Sequence, residues 1–320
     1  MTEVSVIIPC FNAERWIRQA LQSVATQGLD NVETIVIDDG STDESAKIIE
    51  KEFPCVNLVK TKHQGASRAR NVGTELAKGE FIQYLDADDM LAPDKLKIQI
   101  GALSKSGADV AYGDWKEMIY QSDGSFKSGR VRDAEITGPL DIAFFTDAWN
   151  PIHSYLFRHS IVERVGGWNE GLPIIQDARF VLDCALQGAK FVYCKGTMAY
   201  YTVHYKESLS TKDHVGFIRD CLLNALEVQE WWLKHGGINR DRRRALLRVY
   251  GYVAREELKE DKPTFESAYK AINNLIPFYV PEKLRVLNLL SQLFGYEKAG
   301  TIAASYRRIR DIFRRSIKFF

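Results

Sequence analysis

The sequence predicts an α/β protein with a mostly parallel central sheet flanked by helices, followed by an all-helical C-terminal region. Short β-branched runs alternate with amphipathic segments over residues 4–85, which is typical of a parallel sheet with helical crossovers. Acidic or polar clusters follow three of the predicted strands, at the edge where such sheets bind ligands. From about residue 212 the apolar residues recur only at helical spacing.

The first 85 residues alternate strand and helix. Apolar residues at helical spacing up to Val24 predict the first helix, with Asn12 as its cap. Ser41 and Glu44 have capping-box spacing and predict a second helix that continues through Glu50. The other expected elements are a third helix at residues 67–77 and strands at residues 4–8, 33–38, 56–59 and 80–85.

The rest of the chain divides into two parts. A β-hairpin is expected around Asp123 and Gly124, and "DIAFF" and the segment opening at Asp177 read as helices. Three later stretches have apolar residues at helical spacing. We therefore expect an α/β domain at residues 1–211 and a helical region at residues 212–320. The three stretches are residues 217–232, 245–253 and 265–276.

Composition excludes several classes of protein. The formal net charge of +1 over 320 residues argues against nucleic acid as a partner. Five cysteines without a C-x-x-C pair indicate neither a disulfide framework nor a zinc site. The N-terminus lacks a signal-peptide pattern, and no apolar run is long enough to span a membrane. The expected location is the cytoplasm, with peripheral membrane contact at most.

The segment "FIQYLDADDML" places three carboxylates, Asp86, Asp88 and Asp89, directly after a buried-type strand. Like charges so close repel, and folding alone gives no reason to cluster them. Asp86 and Asp88 suit a hard cation such as Mg²⁺ or Mn²⁺, which prefers oxygen ligands. The alternative is a solvated acidic loop.

Asp38 and Asp39 follow the second predicted strand. A receiver domain or an aspartate-nucleophile phosphatase would need its acidic residues after other strands, so both interpretations fail. An aspartate here could instead accept a hydrogen bond from a nucleobase, which discriminates because an unpaired buried group costs about 1–3 kcal/mol.

Four blocks resemble the nucleotide-sugar-dependent glycosyltransferases of family 2. They are "VSVIIPCFNAERWIRQALQSVATQ", "VIDDGSTDES", "QGASRARNVGTELAKGEFIQYLDADD" and "GGWNEGLPIIQDARFVLDCALQGAKFVYC", in family order over roughly residues 3–210. The resemblance implies the GT-A fold, which is Rossmann-like, and glycosyl transfer of the hexosyltransferase class. Such a set is specific for the fold and weakly informative about the sugar.

The resemblance also implies roles for single residues. Asp86 and Asp88 match the family's D-x-D, the first near the ribose and the metal and the second binding Mn²⁺ or Mg²⁺ directly. Asp177 matches the general base of the family's "E-D" element, although Gln176 stands where the family has Glu. His204 could complete the metal shell or touch the diphosphate, or simply bond to a loop. The positions that match the nucleotide pocket are Pro9, Phe11, Asp39 and Arg70.

Two of these assignments are less specific than the others. Arg70 could approach the nucleotide, but a surface role fits the sequence equally well. His153 falls near the acceptor side of the family arrangement.

The implied reaction is a metal-dependent, inverting displacement. Asp177 would deprotonate an acceptor hydroxyl while a hexose or N-acetylhexosamine leaves a nucleoside diphosphate, most simply UDP. The acceptor would be a saccharide or lipid-linked saccharide in cell-envelope polysaccharide or oligosaccharide synthesis. One alternative is a non-catalytic sugar-nucleotide-binding scaffold subunit. Another is a nucleotidyltransferase, but this sequence lacks the Gly-rich loop that such an enzyme has after its first strand.

The last 20 residues are basic and amphipathic. Six Lys or Arg residues and one acid, Asp311, give this segment a charge of +6 − 1 = +5, with apolar residues from Ile302 to Phe320 on one helical face. Such a helix can lie on the anionic inner face of a membrane. It could equally pack on its own domain or on a homodimer partner.

Overall fold

The computed structural model describes residues 2–204, 209–257, 261–277 and 298. It contains two compact units, which divide between Lys212 and Asp213. The predicted basic helix over the last 20 residues lies outside the described residues.

Within the described residues, nine strands form one sheet in the order β3-β2-β1-β4-β8-β6-β9-β5, with β7 paired to β6. The strands are β1 (Val4–Cys10), β2 (Val32–Asp38), β3 (Asn57–Lys60), β4 (Phe81–Tyr84), β5 (Met90–Leu91), β6 (Val110–Tyr120), β7 (Phe126–Arg132), β8 (Tyr155–Arg158) and β9 (Phe191–Val203).

The predicted α/β fold class is confirmed, with one refinement. Strands β3, β2, β1 and β4 are parallel, as the strand–helix alternation indicates. The other strands make the sheet mixed, because β8 runs antiparallel to β4 and β6, β7 to β6, and β5 to β9. The predicted hairpin at Asp123 and Gly124 is the β6–β7 pair.

Helices pack around this sheet. In the first unit they are α1 (Ile17–Ala25), α2 (Ser45–Glu52), α3 (Ala66–Leu76), α4 (Lys95–Ser106), α5 (Leu140–Thr146), α6 (His159–Val165), α7 (Gln176–Leu186) and α8 (Leu209–Lys212), with a 3₁₀ turn at Ile152–Ser154. The apolar face of α1 is buried, and the core beneath it includes Val6, Ile8 and Leu85.

The second unit is helical in its described part. It consists of α9 (His214–Lys234), α10 (Arg240–Glu257) and α11 (Lys262–Leu275), and α10 packs against both of the others. The apolar spacing predicted from the sequence corresponds to these three helices. Asp213 caps α9 by accepting a hydrogen bond from the Gly216 amide at 2.8 Å. None of the described helices is both long and apolar enough to cross a membrane.

The parallel strands bring the predicted site residues to one edge of the sheet. Cys10 at the end of β1 is in register with Asp38 at the end of β2, and β4 lies on the other side of β1. Helix α3 packs close to β1 because Gly73 has no side chain. A Cβ at that position would overlap the Ile7 side chain.

Candidate active site

The loops after β1 and β2 are hydrogen-bonded to each other. The Asn12 amide donates to Ser41 Oγ at 3.0 Å, and the Thr42 amide donates to Asn12 Oδ1 at 2.8 Å. The Ala13 amide donates to Ser45 Oγ at 2.8 Å. Both predicted caps are therefore wrong. Asn12 and Ser41 bond across to the neighbouring loop, and the helices begin later, at Ile17 and Ser45.

Asp39, predicted to contact the nucleobase, holds the loop that leads into α3. Its two carboxylate oxygens accept hydrogen bonds from the Gln64 and Gly65 amides, each at 2.8 Å. His63 Nδ1 lies 2.9 Å from Asp39 Oδ2. Asp39 is only 2% exposed, so a base that reached it would meet a carboxylate already ordered by backbone donors.

Phe11 forms the exposed side of this pocket. Its side chain is 46% exposed and its ring stacks on the His63 ring, with 4.1 Å between centroids and 28° between planes. Pro9, the other predicted pocket residue, is partly buried in β1 beside Ile37. The prediction omitted His63, whose only signal in the sequence is its position just before "QGASRAR". The exposed Phe11 ring offers a flat apolar surface beside Asp39.

Arg70 is buried under the site, so its alternative surface role is wrong. Its side chain is 3% exposed, and its Nη2 lies 2.5 Å from Asp86 Oδ1. Its Nη1 donates to Gln176 Oε1 at 3.0 Å, and the guanidinium stands 4.3 Å from the centroid of the Trp168 ring. Arg70 thus connects α3, the loop after β4 and the start of α7.

The loop "DADD" is attached to the end of β9. His204 Nε2 lies 2.9 Å from Asp88 Oδ2. The Thr202 hydroxyl donates to the Asp88 carbonyl, and the Thr202 amide donates to Asp89 Oδ1 at 2.6 Å. The Asp86 and Asp88 side chains remain 29% and 41% exposed, so both carboxylates can reach a ligand.

Asp89 is the third carboxylate of this loop and faces the interior. Its side chain is 3% exposed, and its Oδ2 lies 3.2 Å from Nδ1 of the fully buried His153. His153 Nε2 donates to the Tyr200 carbonyl at 3.2 Å. Burial and the neighbouring Asp88 and Asp86 raise the pKa of Asp89 well above its usual range. The acceptor-side interpretation of His153 is wrong, because a side chain with no exposed surface cannot touch an acceptor.

Asp177 lies in the first turn of α7 and is partly exposed. Protein covers most of the Asp177 side chain, and this loss of solvent raises its pKa to about 6. Arg70 lowers this pKa and Asp86 raises it. Among the described residues no ion pair engages its carboxylate. A carboxylate with a pKa near neutrality can accept a proton at physiological pH.

Gln176, which stands where the family has Glu, has two partners. Its Oε1 accepts hydrogen bonds from Ser67 Oγ at 2.7 Å and from Arg70 Nη1 at 3.0 Å. An amide oxygen therefore positions these side chains, and the start of α7 is fixed to α3.

Metal donors are present but dispersed. In the part of the chain that the structure describes, no three His, Cys, Asp or Glu side chains lie close enough together to hold a metal ion. Asp86 is paired with Arg70 and Asp88 with His204. Two partly exposed carboxylates and an imidazole fit the donor chemistry of Mn²⁺ or Mg²⁺. An ion bound there would replace these pairings.

Comparison with known proteins finds glycosyltransferases. The model of "Glycosyl transferase family 2" matches residues 5–159. An uncharacterized glycosyltransferase of Haemophilus influenzae is 38% identical over 119 residues, which are 36% of this chain and 48% of that protein. The match spans less than half the length of that curated relative.

Solved structures share the fold. Residues 1–349 of TarS from S. aureus, in complex with UDP-GlcNAc, superpose with a TM-score of 0.62 at 19% identity, covering 96% of this chain and 92% of TarS 1–349. The mannosyltransferase PcManGT from Pyrobaculum calidifontis, in complex with GDP-Man and Mn²⁺, gives a TM-score of 0.56 at 16% identity, covering 97% of this chain and 87% of that one. Residues 5–159, just under half of the chain, thus match glycosyl transferase family 2, and the chain has the GT-A fold.

Proposed function

We propose that this chain transfers a hexose or N-acetylhexosamine from a nucleoside diphosphate sugar to a hydroxyl of a saccharide acceptor, with inversion. The observation that carries the proposal is the position of Asp177. This carboxylate has a pKa of about 6 and interacts electrostatically with Asp86, the first acid of the D-x-D. Arg70 bonds both Asp86 and Gln176, the residue before Asp177, which supports a proton acceptor beside the carboxylates proposed to hold the donor.

The donor pocket in this proposal is the sheet edge at the ends of β1, β2 and β4. The exposed Phe11 ring would stack on the base and Pro9 would line the pocket. Asp39 would accept a hydrogen bond from the base. UDP is the nucleotide that we propose, because a fold neighbour, TarS, was crystallised with UDP-GlcNAc.

The diphosphate would lie over the loop that holds Asp86 and Asp88. We propose these two carboxylates, with His204, as ligands of Mn²⁺ or Mg²⁺, since a second fold neighbour was crystallised with Mn²⁺. Such an ion, when bound, supplies Lewis-acid stabilisation of negative charge on the leaving diphosphate. Arg70, paired with Asp86, adds a fixed positive charge beneath the same loop.

The acceptor hydroxyl would approach from the side of α7. Asp177 accepts its proton as the oxygen attacks the anomeric carbon, and the bond from that carbon to the diphosphate oxygen breaks on the opposite face. A single displacement of this kind inverts the anomeric centre. Gln176 keeps the first turn of α7 in place through Ser67 and Arg70.

The wider setting is part of the same proposal. We propose a saccharide or lipid-linked saccharide acceptor in cell-envelope polysaccharide or oligosaccharide synthesis. The chain would then work in the cytoplasm at the inner face of the membrane, with the basic C-terminal segment as a membrane or homodimer contact.

A thermal-shift panel of UDP-GlcNAc, other UDP-hexoses and GDP-Man, with and without Mn²⁺, tests the donor and the metal. Specific binding raises the melting temperature by mass action, and we expect the largest rise for a UDP-sugar with Mn²⁺. Loss of the rise on chelation with EDTA, and its recovery on adding Mn²⁺, would support the metal. Equal shifts for every nucleotide sugar, with or without metal, would contradict both assignments.

Two variants test the chemistry. We expect Asp88→Ala to abolish transfer by loss of donor and metal binding, and Asp177→Asn to lower turnover by about 10²–10⁴-fold while the donor still binds. Full turnover by either variant would refute the role given to that residue. A wild-type chain that binds the donor but never hydrolyses or transfers its sugar would favour the scaffold alternative.

A further inference from the structure

Three aromatic rings form a tight cluster outside the residues assigned so far. The ring centroids of Trp115, Trp149 and Tyr201 lie 5.6 Å apart in each of the three pairs. The planes of each pair meet at 79–86°, the edge-to-face arrangement that aromatic pairs prefer. Each ring therefore limits the movement of the other two.

The cluster is anchored on one side and open on the other. Trp115 is only 6% exposed, and its Nε1 donates to Asn150 Oδ1 at 3.0 Å. Asn150 in turn donates to the Tyr155 hydroxyl at 3.2 Å. Trp149, by contrast, is 41% exposed. A large apolar ring that is held rigidly and still faces solvent is an informative exception to burial.

Tyr201 attaches this cluster to the acidic loop. It lies next to Thr202 on β9, and Thr202 donates hydrogen bonds to the Asp88 carbonyl and to Asp89 Oδ1. Burial raises the pKa of the Tyr201 hydroxyl above its usual range, and Asp89 and Asp88 raise it further. One ring of the cluster therefore lies on the strand end that holds the loop proposed to bind the donor.

Trp149 also lines a cavity of about 440 Å³. Its walls come from residues 133–137 after β7, from α5 and from residues 147–150. Helix α5 packs against α7, and α7 carries Asp177 in its first turn. The cavity is thus linked to the proposed site by two routes. The Tyr201 ring leads to the loop of Asp88 and Asp89, and α5 contacts the helix that carries Asp177.

The charge of the cavity restricts its ligand. The thirteen described residues that line it include three acids, Asp133, Glu135 and Asp147, but neither Lys nor Arg. Carboxylates accept hydrogen bonds from hydroxyl groups and repel anions. A flat aromatic ring beside such acceptors suits a neutral, hydroxyl-rich molecule with one apolar face.

We propose that Trp149 and this cavity bind the acceptor as a neutral saccharide, with the C–H face of one pyranose ring against the indole and its hydroxyls on the rim carboxylates. This inference rests on the proposed function and deepens it. It names the acceptor as an uncharged sugar and excludes uronic acids and sugar phosphates from the ring that occupies this cavity.

Saturation-transfer NMR on the full chain tests the site without any donor. The probes are the methyl β-glycosides of glucose, galactose and N-acetylglucosamine, with methyl β-glucuronide as the anionic counterpart. We expect transfer to the ring protons of at least one neutral glycoside and much less to the glucuronide. In Trp149→Ala the affinity should fall at least about tenfold, which corresponds to 1.4 kcal/mol.

Two further variants serve as controls for Trp149→Ala. Trp149→Phe retains an aromatic face and should bind more weakly than wild type but better than Trp149→Ala. Val131→Ala removes another exposed apolar side chain, 58% exposed on β7, and should bind as wild type does. Thermal melting of each variant checks that the fold is intact.

The proposal is overturned if no neutral methyl glycoside binds the wild-type chain, if Trp149→Ala binds as well as wild type, or if the glucuronide binds as well as the neutral sugars. Failure of the proposed function would appear in a different measurement, the turnover of the nucleotide-sugar donor. A chain that binds a neutral glycoside through Trp149 but never cleaves a nucleotide sugar would refute transfer and leave the saccharide site standing.

Discussion

Arg70 Nη2 lies 2.5 Å from Asp86 Oδ1 at a position where the arginine side chain is almost completely buried. The same guanidinium donates to Gln176 and stands over the Trp168 ring. A buried positive charge at this point offsets part of the repulsion among the carboxylates above it. The positive charge of Arg70 therefore offsets part of the repulsion among the acids after β4 before any ligand binds.

Replacement of Arg70 tests this balance. We expect Arg70→Met to lower the free energy of unfolding by about 3 kcal/mol, because it leaves Asp86 without its buried partner and Gln176 with Ser67 as its remaining donor. Arg70→Lys keeps the charge but not the planar fork that reaches two partners at once, so it should cost less, about 1–2 kcal/mol. Urea unfolding at pH 7 measures both, and equal stability of the two variants would contradict the specific role of the fork.

Asp177→Asn should make the protein more stable at neutral pH. Its pKa in the folded chain is about 6 against an ordinary 3.8, so keeping it ionised costs at most about 3 kcal/mol. The gain in Asp177→Asn should be complete above pH 6 and should disappear as the pH falls toward 3.8. Paired unfolding curves of wild type and Asp177→Asn across this range measure it. A gain independent of pH would point to a packing effect instead.

The activity of the wild-type enzyme should decline on the acid side. A general base must be deprotonated to act, so kcat/KM should fall about tenfold per pH unit below the pKa of Asp177. The value of about 6 applies to the metal-free chain, and a bound cation near Asp86 lowers it. The midpoint should accordingly lie at about pH 6 or below when Mn²⁺ is present. A profile flat down to about pH 4 would exclude Asp177 as the base.

Gln176→Glu restores the acid that the family has at this position. The introduced carboxylate would still accept hydrogen bonds from Ser67 and Arg70, so the fold should be retained. Its added negative charge next to Asp177 should raise the pKa of Asp177 and move the acid limb of kcat/KM to higher pH. Gln176→Leu, which cannot accept from Arg70, is the matched variant and should instead lose stability. A pH profile unchanged by Gln176→Glu would show that Arg70 screens the new charge completely.

Ser45→Ala should loosen the contact between the loops after β1 and β2. Ser45 is fully buried and accepts the Ala13 amide at 2.8 Å, so its loss leaves a buried donor unpaired at about 1–2 kcal/mol. Ser128→Ala, an exposed serine on β7, is the control and should be neutral. Thermal melting compares them. Equal melting temperatures would mean that water replaces the Ser45 hydroxyl at no cost.

The parallel half of the fold could be predicted because its signals are local. Each strand from β1 to β3 is a short run followed by a helix with its own periodicity, and parallel pairing then aligns the strand ends without further information. The caps could not be predicted in the same way. Asn12 and Ser41 have the side chains of good caps, but the neighbouring loop offered them partners about 30 positions away in sequence.

The candidate site residues come from the motifs that the resemblance supplied. Arg70 contacts Asp86 and Gln176, the residue before Asp177, and the roles given to these acids stay predictions. The ring cluster around Trp149 was not predicted, because β6 and β9 bring Trp115 and Tyr201 together from 86 positions apart, 201 − 115. His153 was misinterpreted for the same reason. Its side chain is fully buried, and its partners, the Tyr200 carbonyl and Asp89, are distant in sequence.

The attachment of the acidic loop to β9 has a consequence for biosynthesis. Asp88 and Asp89 are held by Thr202 and His204, more than 110 residues later in the chain. A nascent polypeptide leaving the ribosome therefore exposes its aspartates long before the strand that restrains them has been made. The order of synthesis therefore leaves the acidic loop without these restraints until the whole first unit has been translated.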